Sequence, residues 1–209
     1  MRKALIGLVF AFAAGFTQAG AFEDIISAAN DGDTAAVVSL LKRGMDANTA
    51  DRAGTTLLMI AARNGNTALV ETLMDNRAGI NRRNQFGDKA LMLAALKGRI
   101  EIAQALLRKG ADVNPSGWTP LHYAVVGGSE EMASLLIGKG ASLDARAPNG
   151  QTALMLAVKI RKSELVQLLV DADADMDLAD YEGVTALRLA QKLGHEEIVE
   201  YLLRIGAAE

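Results

Sequence analysis

The chain has 209 residues, half of them apolar and 22% charged, which excludes a disordered composition and fits one domain, two small ones or a repeat array. A net charge of −3 without a strongly basic stretch disfavours nucleic acid as a partner. The lack of cysteine excludes a disulfide framework, so packing must supply the stability.

Residues 1–21 read as a secretory leader. Arg2 and Lys3 precede an apolar run from Ala4 to Phe16, and Ala19-Gly20-Ala21 fits the small-residue rule for cleavage before Phe22. The run falls short of the ~20 apolar residues that a membrane anchor needs. There is no twin-arginine pair, so the general export route is expected. Loss of Arg2 and Lys3 takes the side-chain charge from −3 to −5. The expected destination is a bacterial periplasm, with secretion as the alternative and no membrane association after cleavage.

From residue 22 onward the chain repeats itself. Gly54, Gly87, Gly117, Gly150 and Gly183 are spaced by 33, 30, 33 and 33 residues. Four residues after each stands Leu58, Leu91, Leu121, Leu154 or Leu187. Seven after stands Ala61, Ala94, Ala124, Ala157 or Ala190, and nineteen after stands Leu73, Leu106, Leu136, Leu169 or Leu202. Ala28, Gly32, Leu40, Gly44 and Asn48 continue the register backward, which gives six repeats at approximately 22–50, 51–83, 84–115, 116–146, 147–179 and 180–209.

Repeat 4 shows the local logic best. Thr119 suits an N-cap, Pro120 the first helical position, and Leu121, Ala124 and Val125 form an apolar stripe at helical spacing. Gly128 suits the left-handed residue that stops this helix. A second helix over 130–139 carries Met132, Ala133, Leu135, Leu136 and Ile137, and Gly140 ends it. Each unit buries little alone, and stacking supplies a continuous core.

This pattern resembles the ankyrin repeat over residues 22–209. The resemblance implies an all-α solenoid of stacked helix-turn-helix units with β-turn fingers. It implies a protein-binding scaffold rather than an enzyme, with no cofactor. The chain also lacks a cysteine nucleophile, a phosphate-cradling glycine loop and an HExxH motif.

The copies differ in chain order. Met59, Met92 and Met155 occupy the place of His122 in the "TPLH" of repeat 4, and Arg188 does so in repeat 6. A histidine there can reach back to the cap, and methionine is expected to lose that bond. Arg77, Arg161 and Asp173 stand where other copies have turn glycines, each at a cost of about 1 kcal/mol. Repeat 5 carries two of them, so repeats 5–6 are expected to fray before repeats 3–4. The connection from Asn114 to Gly117 is three residues shorter than its counterparts, which predicts a notch in the row of fingers.

Two further features admit other readings. Buried-gap filling accounts for the methionines, although periplasmic methionine can also bind soft copper or absorb oxidants. Asp171, Asp173, Asp175, Asp177 and Glu182 have calcium-loop spacing, but Met176 stands where such a loop needs glycine. A periplasmic metal-binding or redox-protective protein using Met and Asp side chains is therefore the competing function. His122 and His195 fall on repeat positions and have a structural explanation.

The resemblance also implies which residues meet a partner. Arg52, Gln85, Phe86, Asp88, Trp118, Asn149, Gln151, Tyr181 and Glu182 fall on the fingers or entry turns. Arg63, Asn64, Leu96, Lys97, Val126, Lys159, Ile160 and Lys192 fall near the ends of the first helices. Phe86, Trp118 and Tyr181 are large aromatics that the core does not require, a usual ingredient of protein hot spots. With Arg52, Arg82, Arg83 and Arg146 the finger side is expected to be basic and to suit an acidic protein, with the chain itself a monomer.

Overall fold

The computed structural model describes residues 18–208. The apolar run of the leader lies outside the described residues. Six helix pairs follow one another: α1 (Gln18–Asp31) with α2 (Thr34–Lys42), α3 (Leu57–Asn64) with α4 (Thr67–Asp75), and α5 (Ala90–Leu96) with α6 (Ile100–Arg108). Then come α7 (Pro120–Val126) with α8 (Glu130–Gly138), α9 (Ala153–Lys159) with α10 (Ser163–Asp171), and α11 (Ala186–Leu193) with α12 (Glu196–Arg204). Helix α1 runs through the expected cleavage junction, and Ala21 is buried.

The repeated apolar positions form one core. Leu58, Leu91, Leu121, Leu154 and Leu187 are buried, and the five register alanines are fully so. A fully buried leucine contributes ~1.5–3 kcal/mol, so one leucine per repeat in this row is a main source of cohesion. The alanines let neighbouring first helices approach. A Cβ on Gly127, just after α7, would collide with the Leu96 carbonyl oxygen at the end of α5. First helices accordingly pack more extensively on one another than second helices do, so the array curves with the first helices inside.

Thr56, Thr119, Thr152 and Thr185 each cap a first helix by accepting from the backbone N–H three residues on. In repeat 4 the bond is reciprocal: the Thr119 N–H donates to His122 Nδ1 at 3.1 Å. Nδ1 is then the bare nitrogen, so Nε2–H donates to the Ala145 carbonyl at 3.1 Å. The expectation that methionine loses this bond fails at Met92. Its Sδ accepts from the Lys89 N–H at 3.3 Å, because a buried thioether can serve as a weak acceptor. Lys89 has no side-chain cap and instead reaches Asp112 at 2.8 Å. That ion pair holds the Asp112 carboxyl below its usual range, against the opposing effect of burial.

Arg77, Arg161 and Asp173 have φ of 63°, 56° and 69°, so the turns keep their left-handed geometry with side chains that disfavour it. The supposed calcium loop is repeat machinery. Asp171 ends α10, Asp175 Oδ1 accepts from the Asp177 N–H at 2.9 Å, and Asp177 Oδ1 accepts from the Ala208 N–H at 2.8 Å.

Candidate functional site

The fingers are built by residues that the register alone does not single out. Asp51 Oδ1 accepts from the N–H groups of Ala53 and Thr55, Asn84 Oδ1 from those of Phe86 and Asp88, and Asp180 Oδ1 from those of Glu182 and Val184. Each side chain replaces a backbone turn and fixes the tip. A backbone bond also closes each loop, from Asp51 N–H to Thr55 O, Asn84 to Asp88, Ala147 to Gln151 and Asp180 to Val184. An Asp or Asn three residues before the finger glycine is the signal that marks three of these loops. In the fourth finger Ala147 offers no acceptor, and Asn149 instead accepts from the Gln151 N–H at 3.1 Å.

Arg52, Gln85, Phe86, Asn149, Tyr181 and Glu182 are exposed on these tips, with Phe86 at 71% and Tyr181 at 70%. Tyr181 lies over the Gly150 backbone, where a Cβ would come within 2.6 Å of the Tyr181 nitrogen. Arg146, expected to add to the basic finger side, donates to the Ala179 carbonyl and ties two fingers together. Asp88 and Gln151 are only partly exposed.

Trp118 departs from the expected exposed aromatic. It is half-buried and packs edge-on against His122, with ring centroids 5.5 Å apart, and against Tyr123 at 6.2 Å. Its register position, directly after the finger glycine, is buried or half-buried in the other repeats too, at Thr55, Asp88, Gln151 and Val184. With Leu96, Tyr123 and Val126, Trp118 lines an almost wholly apolar recess of about 210 Å³. The Tyr123 hydroxyl donates to Asp88 of the preceding repeat, whose other oxygen accepts from Asn84 at 3.1 Å. Burial and then this bond to Asp88 push the Tyr123 hydroxyl well above its ordinary value, so it stays a proton donor.

Arg63, Asn64, Lys97, Lys159 and Lys192 lie along the ends of the first helices, as the resemblance implies, and Ile160 packs partly against the core. Arg63, Lys97 and Arg99 line a wide, open groove of about 1000 Å³ beside the first-to-second helix turns, with Asp31 as its carboxylate. Leu193, at 43% exposure next to Lys192, belongs to this surface, at the register position that holds Asn64, Lys97 and Ile160 in other repeats. Val126 is 46% exposed.

The competing chemistry finds no comparable assembly. Met59, Met92 and Met155 are buried in the core, out of reach of a soft metal at the surface. Among the described residues no group of three or more His, Cys, Asp or Glu side chains is placed to hold a metal ion. His195 Nδ1 lies 3.0 Å from the Val158 carbonyl of the preceding repeat, a bond that ties two repeats together. No helix among the described residues is long and apolar enough to cross a membrane.

A family model described as ankyrin repeats (3 copies) matches residues 25–116, 58–147 and 139–208. A search of curated proteins found no match.

Proposed function

Because the chain belongs to the ankyrin-repeat family, whose members generally mediate protein–protein interaction, we propose that it is an exported scaffold that binds or regulates another exported protein. The contact surface is the inner side of the curve, made of fingers and first-helix ends. One observation carries this reading. Phe86, Tyr181, Val126 and Leu193 expose 43–71% of their surface on fingers or first helices, where core packing does not require large apolar side chains. The reading assigns the chain binding and no catalysis. Export rests on the charged, apolar and small-residue order of residues 1–21.

Affinity capture from the exported fraction tests the surface. Tagged wild-type protein is expected to retain a partner that a Phe86→Ala/Tyr181→Ala/Val126→Ala variant loses. A variant that keeps every partner contradicts the reading. N-terminal sequencing of the exported protein is expected to begin at Phe22, and an intact Met1 in the cytosol alone would contradict export.

A further inference from the structure

The charges on the two helix layers are sorted. The first helices α3, α5, α7, α9 and α11 contain no Asp or Glu, whereas each second helix from α4 to α12 carries at least one. Arg63, Lys159, Arg188 and Lys192 lie within first helices, and Lys97 caps α5. Nine residues after each finger glycine, the inner surface reads Arg63, Leu96, Val126, Lys159 and Lys192 in successive repeats. The row is therefore a cation, two apolar residues and two cations.

The structure joins the parts of this row. Leu96 and Val126 share the apolar recess with Trp118 and Tyr123, and Arg63 and Lys97 share the open groove beside it. None of Arg63, Lys97, Lys159 and Lys192 forms an ion pair among the described residues. Asp88, whose carboxylate accepts from the recess residue Tyr123, is also held by Asn84. Glu182 stands on the last finger and Asp31 in the groove, so neither interrupts the row itself.

We infer that this row recognises an acidic segment of a partner protein that carries one apolar anchor at its centre. The anchor enters the Leu96–Trp118–Tyr123–Val126 recess, and carboxylates on either side meet Arg63 and Lys97 at one end and Lys159 and Lys192 at the other. With neighbouring helices ~8–10 Å apart, four steps span ~32–40 Å, which an extended segment of about a dozen residues covers. This inference rests on the proposed scaffold reading and names the chemistry of its partner.

Trp118 is the only tryptophan, so its fluorescence reports the recess directly. A twelve-residue peptide with leucine at its centre and glutamates on both sides is expected to shift the emission saturably. Replacing that leucine by serine, or the glutamates by lysines, is expected to weaken binding at least 10-fold. Lys159→Glu is expected to raise Kd about 10-fold with an unchanged melting temperature, and Val126→Glu to abolish the shift. Absence of a shift with the acidic peptide, or equal binding of the lysine-flanked one, overturns the inference. Photo-crosslinkers at positions 86, 126 and 181 in cells separate the two levels. Crosslinks from 126 to an acidic segment support the inference. Crosslinks from 86 or 181 but none from 126 overturn it and leave the scaffold standing; none from any position overturns both.

Discussion

Asn81 and Asn114 each hold the following repeat by two hydrogen bonds, whereas Asp144 and Asp177, in the same register, each hold it by one. Asn81 donates to the Gly110 carbonyl at 3.0 Å and accepts from the Asp112 N–H at 2.9 Å. Asn114 donates to the Gly140 carbonyl at 2.8 Å and accepts from the Ser142 N–H at 2.7 Å. Asp144 only accepts, from the Asp175 N–H at 3.0 Å, because a carboxylate has no donor to offer. The turns differ in the same direction. Repeats 3 and 4 use Gly98, Gly110, Gly128 and Gly140 with positive φ, while repeat 5 uses Arg161 and Asp173. Side-chain caps do not separate the regions: Thr119 and Ser129 cap α7 and α8 but α5 and α6 have none, and Thr152 and Thr185 cap α9 and α11 but α10 and α12 have none. Leucine burial is the same in both regions. Equal cores can thus carry unequal polar fastening, and the better-fastened region is the one that holds the apolar recess.

The largest expected effect comes from removing a core leucine in each region. Leu106→Ala, in the middle of the array, is expected to cost ~2–5 kcal/mol of global stability in urea unfolding. Leu202→Ala removes an equally buried side chain but is expected to release mainly repeat 6, because a terminal unit contacts one neighbour. Equal loss of cooperativity from both would break the comparison. Asn114→Asp tests the ladder next. It leaves the exposed Gly140 carbonyl without its donor, and a loss of ~0.5–1.5 kcal/mol is expected, measurable as a lower urea midpoint. Asp144→Asn should move the midpoint the other way by ~0.5–1.5 kcal/mol. A comparable gain, about 1 kcal/mol, is expected from Arg161→Gly, which relieves the left-handed strain.

Protonation of His122 sharpens the contrast from the side of repeat 4. Burial pushes its pKa below the ordinary value of about 6.5, opposed by the bond to the Ala145 carbonyl. The unfolded chain therefore takes up this proton first. The stability contributed by neutral His122 is complete above pH ~6.5 and is lost as pH falls from there through the lower folded value. A proton on Nδ1 would also face the Thr119 N–H that Nδ1 now accepts. Urea midpoints measured from pH 7.5 to 5 are expected to fall in the wild type and to fall less in His122→Gln.

The fold was legible because each repeat reports local requirements that do not depend on distant contacts. A threonine cap, an apolar stripe and a turn glycine define a helix pair, and the 33-residue register shows which leucines and alanines face neighbouring repeats. The finger tips were legible for the same reason, and Phe86 and Tyr181 are exposed there. Trp118 was not, because its ring packs on His122 and Tyr123 and closes a recess with Leu96 of the preceding repeat, contacts that the register does not show. The engagement of Arg146 with the Ala179 carbonyl likewise depends on atoms brought together by stacking, whereas the acceptor role of Met92 is local to one repeat and rests on the weak acceptor capacity of its thioether. The sorting of carboxylates to the second helices was visible as a tendency in the register. Its meaning as a cationic row appeared only once the first helices were seen to line the inner side.

Hydrogen exchange along the full chain tests the graded fastening most directly, because it reads local opening helix by helix. Amides of α9–α12 are expected to exchange faster than those of α5–α8, with Arg161→Gly and Asp144→Asn each narrowing the difference. Uniform protection from α5 to α12 in the wild type would contradict the account.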